Sequence, residues 1–269
     1  MTATTASAPA RARDVLASEW IKLRSVRSTY LALATAALAA IGLSYLITHY
    51  QARSTPSWAH MSAHARAARD PVAYSLGGLS IAQLAFGVLG VLVISSEHAT
   101  GLIRTTFTAV PRRWAVLAAK AAVVGALTLA AGELIAFTAF FTGQWALSAK
   151  HLNATLSGPG VLRGVLAAGL YLAVITVVGL GLGTVIRHTA GAVAALFALV
   201  FLIPQVIHAM PAPWDTRIGK YMLDNAGQQM AALHGAPGYF SPGASMIVCA
   251  AYTVAALACG GFVITRRDA

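Results

Sequence analysis

Six apolar stretches, nearly free of charge, alternate along this chain with segments that hold most of its ionisable residues. They run approximately from Tyr30 to Thr48, Leu76 to Ser95, Leu117 to Phe141, Val165 to Ile186, Ala190 to His208 and Ser245 to Thr265. Each is close to the roughly 20 residues that a helix needs to cross a hydrocarbon core about 30 Å thick. None alternates apolar and polar residues with the period of two that a membrane barrel strand shows. Lipid offers no partner to an unpaired backbone group, so the pattern predicts spanning α-helices. The expected fold is all-α, a polytopic membrane protein with six transmembrane helices forming one domain over residues 29–269.

Ahead of the first stretch, residues 1–10 are mostly Ala, Thr, Ser and Pro and are expected to be a disordered tail. Residues 11–28 read differently. Val15, Leu16, Trp20 and Leu23 recur at helical spacing, with Arg13, Glu19, Lys22 and Arg24 mostly on other faces, which predicts an amphipathic helix lying in the membrane interface. Trp20 would sit at headgroup depth; an ordinary juxtamembrane anchor fits the same residues. The apolar run from Tyr30 is too long for a secretory signal core of about 7–15 residues, so it is expected to be retained as the first span.

Composition narrows the class further. With only 10% charged residues, against about a quarter in soluble domains, the loops leave no room for a separate globular unit. Basic residues are unevenly shared between alternate segments. Arg11, Arg13, Lys22, Arg24, Arg27, Arg104, Arg112, Arg113, Lys120, Arg187, Arg266 and Arg267 make twelve on one side, and Arg53, Arg66, Arg69, Lys150, Arg163, Arg217 and Lys220 make seven on the other. The richer side is expected to be cytoplasmic, which places both termini on the cytoplasmic side of the cell membrane. This topology and anionic lipid headgroups account for the net charge of +11 without invoking nucleic acid. Cys249 and Cys259 lie ten residues apart in one span, a spacing that fits neither a disulfide framework nor a metal site.

The segment from Ser95 to Lys120 is the most distinctive of the polar stretches. It combines Glu97, Gly101, spaced aliphatics and four cations, and Leu102, Ile103 and Phe107 fall within one or two helical turns before Pro111. A short helix with an apolar face and a charged rim could dock into a groove on a soluble partner; a solvated loop that only sets topology is the other reading.

Read as E-H-A-T-G-L-I-R-T-T-F-T-A-V-P-R-R, Glu97 to Arg113 resembles the loop between spans 2 and 3 of actinobacterial permease subunits of type-2 ATP-binding-cassette (ABC) exporters. S-E-W-I-K-L-R-S-V-R-S at Ser18 to Ser28 is similar to that family's amphipathic first helix. G-L-G-L-G-T-V-I-R-H-T-A-G at Gly179 to Gly191 and the closing R-R-D-A fit it as well. The likeness extends from about Arg11 to Ala269. It implies a transmembrane subunit that forms the solute pathway and couples to a separate ATPase subunit, where ATP and Mg would bind. This chain itself is expected to bind no cofactor. The resemblance assigns Glu97, Gly101, Arg104, Arg112 and Arg113 to a cytoplasmic coupling helix against the ATPase, and Glu19, Trp20, Lys22 and Arg24 to a second contact. It also implies a re-entrant outer segment over Met210 to Gly243 and a second permease subunit, as a homodimer, with the pathway between the two.

The sequence contains no G-x-x-x-x-G-K-[ST], so the chain is not expected to be an enzyme, and ATP hydrolysis is expected elsewhere. Glu133 in the middle of the third stretch is the outstanding intramembrane charge, costing about 2.5 kcal/mol or more unless it faces a cavity or partner. It could meet a cationic cargo, carry a proton or bond to a neighbouring span; Gln83, Gln205 and His208 are weaker polar candidates. Gly179 and Gly183 form a small-residue pair for close helix packing, and Pro204 should bend the fifth span. His60 and His64 have i, i+4 spacing but no third ligand, so no metal site is expected. An ion-driven secondary transporter using Glu133 is the alternative function, and an intramembrane enzyme a weaker one because no matched base or nucleophile accompanies that acid.

Overall fold

The computed structural model describes residues 12–25, 27–54, 62, 70–102 and 113–267. The tail over residues 1–10, the His60 and His64 pair, Arg104, Arg112 and the rest of residues 103–112 between the second and third stretches lie outside the described residues. Among the described residues ten helices follow one another: α1 (Ala12–Ser25), α2 (Arg27–Ser54), α3 (Pro71–Leu76), α4 (Leu79–Thr100), α5 (Arg113–Ser148), α6 (Val161–Ile186), α7 (Thr189–His208), α8 (Trp214–Gly219), α9 (Leu223–Ala231) and α10 (Pro242–Arg267). Among the described residues there is no strand.

Six of these helices, α2, α4, α5, α6, α7 and α10, are long and apolar enough to cross a membrane. The protein is a multi-pass membrane protein, and each predicted stretch falls on one of the six, apart from Leu76 to Gly78 at the start of the second. Apart from the start of α4, the helices reach or overrun the ends of the stretches; α5, with 36 residues, is about 54 Å long at 1.5 Å per residue and so exceeds the hydrocarbon core.

Helix α6 forms the centre. Its most apolar window is 78% buried, against 22% for α2 and α10 and 28% for α7. It owes that position to small residues, because between helices in lipid close backbone approach replaces hydrophobic drive. A Cβ at Gly90 of α4 would lie 1.9 Å from the Thr176 carbonyl oxygen, and one at Gly179 of α6 would lie 2.3 Å from that of Gly87. Gly183 meets Val91 and Ile94 in the same seam, so the Gly179–Gly183 pair packs within the chain. On the other flank, Gly132 of α5 faces the Gly169 backbone of α6.

The second stretch starts earlier than its pattern indicates, as α3, and breaks at Gly77–Gly78. Gly78 sits against α2, where a Cβ would be 2.0 Å from the Ala40 oxygen, and its N–H donates to Ser44 Oγ at 3.0 Å. Helix α7 carries a π-helical turn over Ala198–Leu202 just before Pro204. Proline has no backbone N–H to donate to the previous turn, and the wider turn absorbs that loss while the helix continues to His208.

Between α7 and α10, helix α9 is inserted among the helix ends. The ring of Tyr171 occupies the space where a Cβ on Gly227 would go. Arg163 at the start of α6 donates to the Met230 and Ala232 carbonyls at 2.8 and 2.7 Å, satisfying the C-terminal end of α9. Tyr171 lies ten residues beyond Val161, about 15 Å down the axis, so the first half of α9 reaches well into the bundle. Asp70 joins this insertion to α3, accepting from Val72 and Ala73 as the α3 N-cap and from the Leu233 N–H at 2.8 Å.

Candidate functional site

At the opposite end of the bundle, α1, the last turn of α4 and the first turns of α5 converge. Glu19 and Lys22 stand one turn apart on α1, and Lys22 donates to Glu19 Oε1 at 2.7 Å and to Glu97 Oε1 at 3.2 Å. Lys120 Nζ reaches Glu19 Oε2 at 2.5 Å and Glu97 Oε1 at 2.9 Å. The result is a closed ring of two cations and two anions. Lys120 and Glu19 side chains are each 2% exposed and Lys22 is 41% exposed, so the ring has a dry side and a wet side. An isolated ion would cost several kcal/mol to bury there; alternating charge with bonds to both carboxylates offsets that cost. Burial pulls the Lys22 ammonium down, but the bond to Glu19 and the charges of both carboxylates outweigh it, leaving the group above its usual range. Glu97 Oε2 is buried and has no hydrogen-bond partner among the described residues.

The ring closes one end of a cavity of about 1030 Å³ between α1, α2 and α4. Its wall along α4 runs from Leu84 to Glu97, about 20 Å at helical rise, and is mostly apolar, with Ala85, Val88 and Leu92 on it.

The structure sorts the residues that the sequence singled out. Glu19, assigned to the polar face of the first helix, instead turns inward between Val15 and Leu23, because Lys120 lies beneath it. Glu97 is also buried. Trp20, Arg24 and Gly101 are exposed. Gly101 takes φ +74° as the residue that ends α4, a conformation glycine adopts without strain. Arg113 donates to the Ile264 carbonyl at 3.2 Å, bringing the start of α5 to the end of α10. Lys120 is the member of the ring that sequence reasoning missed. The charge pattern makes it one of the topology-setting cations, yet it lies inside an apolar stretch, which is itself the signal of an ionisable residue with a partner.

Glu133 is partly buried on α5, with its carboxyl group against Gly169 of α6 and Oε2 without a hydrogen-bond partner among the described residues. It lies apart from both the ring and the large cavity. Gln83, Gln205 and His208 do come together, at the α9 end, where they line polar space with Asp224. Burial pushes the Asp224 carboxyl above the usual carboxylate range; bonds from Gln83 and Gln228 and the nearby His208 act in the other direction. Cys249 and Cys259 are both free thiols, and no group of three His, Cys, Asp or Glu among the described residues is arranged to hold a metal.

No protein-family model and no curated protein matches this chain. What stands on its own geometry is a multi-pass helical membrane protein with a buried four-residue ionic ring at one end and an inserted helix at the other.

Proposed function

We propose that this chain is the permease subunit of an ABC exporter, forming the solute pathway and drawing its energy from a separate ATPase subunit that binds ATP and Mg. The observation that carries this reading is the bond from Lys120 to both Glu97 and Glu19. Glu97 stands four residues before Gly101, where α4 ends and the segment that resembles a coupling helix begins. A push on that segment reaches α1 and α5 together through charges that cannot relax into water. Glu19 and Glu97 therefore act behind the ATPase contact, while Arg24, Gly101, Arg104, Arg112 and Arg113 remain candidates for the contact itself.

Other features fit the same reading. Leu16, Trp20 and Ile21 are exposed on α1, as suits an amphipathic helix lying in the cytoplasmic interface of the cell membrane with both termini inside. The depth reached by α9 suits a re-entrant segment, since non-helical backbone at membrane depth is tolerated only where protein or water covers it. The low burial of α2, α7 and α10 leaves faces for lipid and for a second permease subunit, which makes a homodimer with the pathway between its copies the simplest assembly.

The test is a search of the adjacent reading frames for a P-loop ATPase and co-expression of this chain with it, followed by purification, ATP hydrolysis and export assays on a panel of toxic compounds. Arg104→Glu should lower co-purification of the ATPase, and Glu97→Gln should keep the complex together while lowering export per ATP hydrolysed. Unchanged association and coupled export in both variants would remove the proposal. Transport by this chain alone on a proton gradient, without ATP, would replace it with a secondary transporter.

A further inference from the structure

Two cavities at the α9 end meet at one carboxylate. One, of about 280 Å³, lies between the α3–α4 break, α6 and α9; the other, of about 420 Å³, lies between α4, α7 and α9. Ser80, Gln83, Asp224 and Gln228 line both. The hydrogen bonds there have a single direction. The Tyr171 hydroxyl donates to Gln83 Oε1 at 2.8 Å, Gln83 Nε2 donates to Asp224 Oδ1 at 3.3 Å, and Gln228 Nε2 donates to Asp224 Oδ2 at 2.8 Å. A network in which every donor leads toward the carboxylate is ordered by its negative charge.

A carboxylate offers about four lone-pair positions, and the two carboxamides take one on each oxygen. The rest face space that a donor could enter. Among the described residues lining the two cavities there is no Lys or Arg, although the whole chain has a net charge of +11. The other titratable side chains there are Tyr171, Tyr239 and His208, whose Nε2 lies 3.4 Å from Asn225 Oδ1. Apolar wall comes from Leu76, Val200 and Phe201, and an aromatic ring also attracts a cation over its face. About 15 Å down the bundle, charge pairs are screened less than at a surface.

We infer that Asp224 is the counter-ion of a binding site for an organic cation, an alkylammonium or guanidinium whose N–H groups bond to the carboxylate and whose apolar body lies against α3 or α7. That the cation is an exported cargo rests on the permease reading; its binding does not.

The test titrates the full chain in phosphatidylcholine nanodiscs with monodansylcadaverine, a primary alkylammonium on an apolar fluorophore, and with its neutral N-acetyl derivative. The ammonium binds saturably, and the acetylated probe binds at least tenfold more weakly, a difference of about 1.4 kcal/mol. Asp224→Asn lowers affinity for the ammonium at least tenfold and leaves the acetylated probe unaffected. Gln205→Lys places a competing ammonium on the cavity wall without removing a partner of Asp224; it too abolishes ammonium binding and serves if Asp224→Asn does not fold. Equal affinity for the two probes, or wild-type affinity for the ammonium in either folded variant, overturns the site. Export with the ATPase separates the two readings: Asp224-dependent binding without ATP-driven export keeps the site and removes the permease, whereas ATP-driven export of the amine undiminished by Asp224→Asn overturns the site alone.

Discussion

Replacing Lys120 by Met tests the ionic ring most directly. Met keeps most of the apolar stem, so the change is chiefly electrostatic. Lys120 makes bonds at 2.5 and 2.9 Å to two carboxylates, from a side chain only 2% exposed. Hydrogen bonds to charged groups contribute about 1.5–3 kcal/mol each, so two amount to about 3–6 kcal/mol; removing one partner of a buried ion pair costs about 3–5 kcal/mol. Lys22 still holds both carboxylates, which puts the expected loss near the lower end, about 3 kcal/mol. Lys22→Met is the control. That ammonium is 41% exposed, so its removal should cost about 1 kcal/mol or less. Reversible SDS-driven unfolding of the purified protein in mixed micelles, followed by tryptophan fluorescence, measures both. The double variant Lys120→Met, Glu97→Gln should lose clearly less than the sum of its parts, because the two side chains share one bond. Equal losses for Lys120→Met and Lys22→Met within about 0.5 kcal/mol, or strict additivity in the cycle, would refute the buried ring.

Three further outcomes follow from the same geometry. Gly90→Ala should destabilise by at least about 1–3 kcal/mol, because its Cβ would meet the Thr176 backbone rather than a movable side chain; an unchanged unfolding midpoint would show that α4 and α6 do not touch there. Glu133→Gln should be neutral or stabilising in the same unfolding assay, since it removes an acid that lacks a hydrogen-bonded partner on Oε2 among the described residues, and a loss above about 1 kcal/mol would instead make Glu133 a structural anchor. The Lys22 ammonium is raised above its usual range, so the stability it contributes is fully present below the ordinary lysine pKa and is lost as pH rises through the folded value. The difference in melting temperature between wild type and Lys22→Met should therefore shrink above about pH 10.5, near the unperturbed lysine value; a constant difference would show that the ammonium is not held by Glu19 and Glu97.

The six helices able to cross a membrane were legible from residues alone because spanning capacity is a local sum: some twenty apolar side chains satisfy it wherever the helix ends up. Pro204 announced a disturbance in α7 for an equally local reason, its missing N–H, although the π-helical form of that disturbance depends on the turns around it. The break at Gly77–Gly78 was not legible, since it answers to the α2 backbone beside it. Glu19 was misplaced on α1 because an amphipathic pattern ranks side chains by polarity and takes no account of a cation beneath the helix.

The sequence by itself determined that this chain is helical and apolar, with six stretches long enough to cross a membrane, and it marked Glu97 and Glu133 as charges needing an explanation. Only the tertiary structure decided which charges meet. Lys120 and Glu19 are 101 residues apart in the chain, and Gln83 and Asp224 are 141 apart. Such pairs depend on the rotation and depth of each helix against its neighbours. Around α6 they are set in part by glycine contacts in which backbone touches backbone, as at Gly90 and Gly179, a property of two helices together that neither sequence segment carries alone.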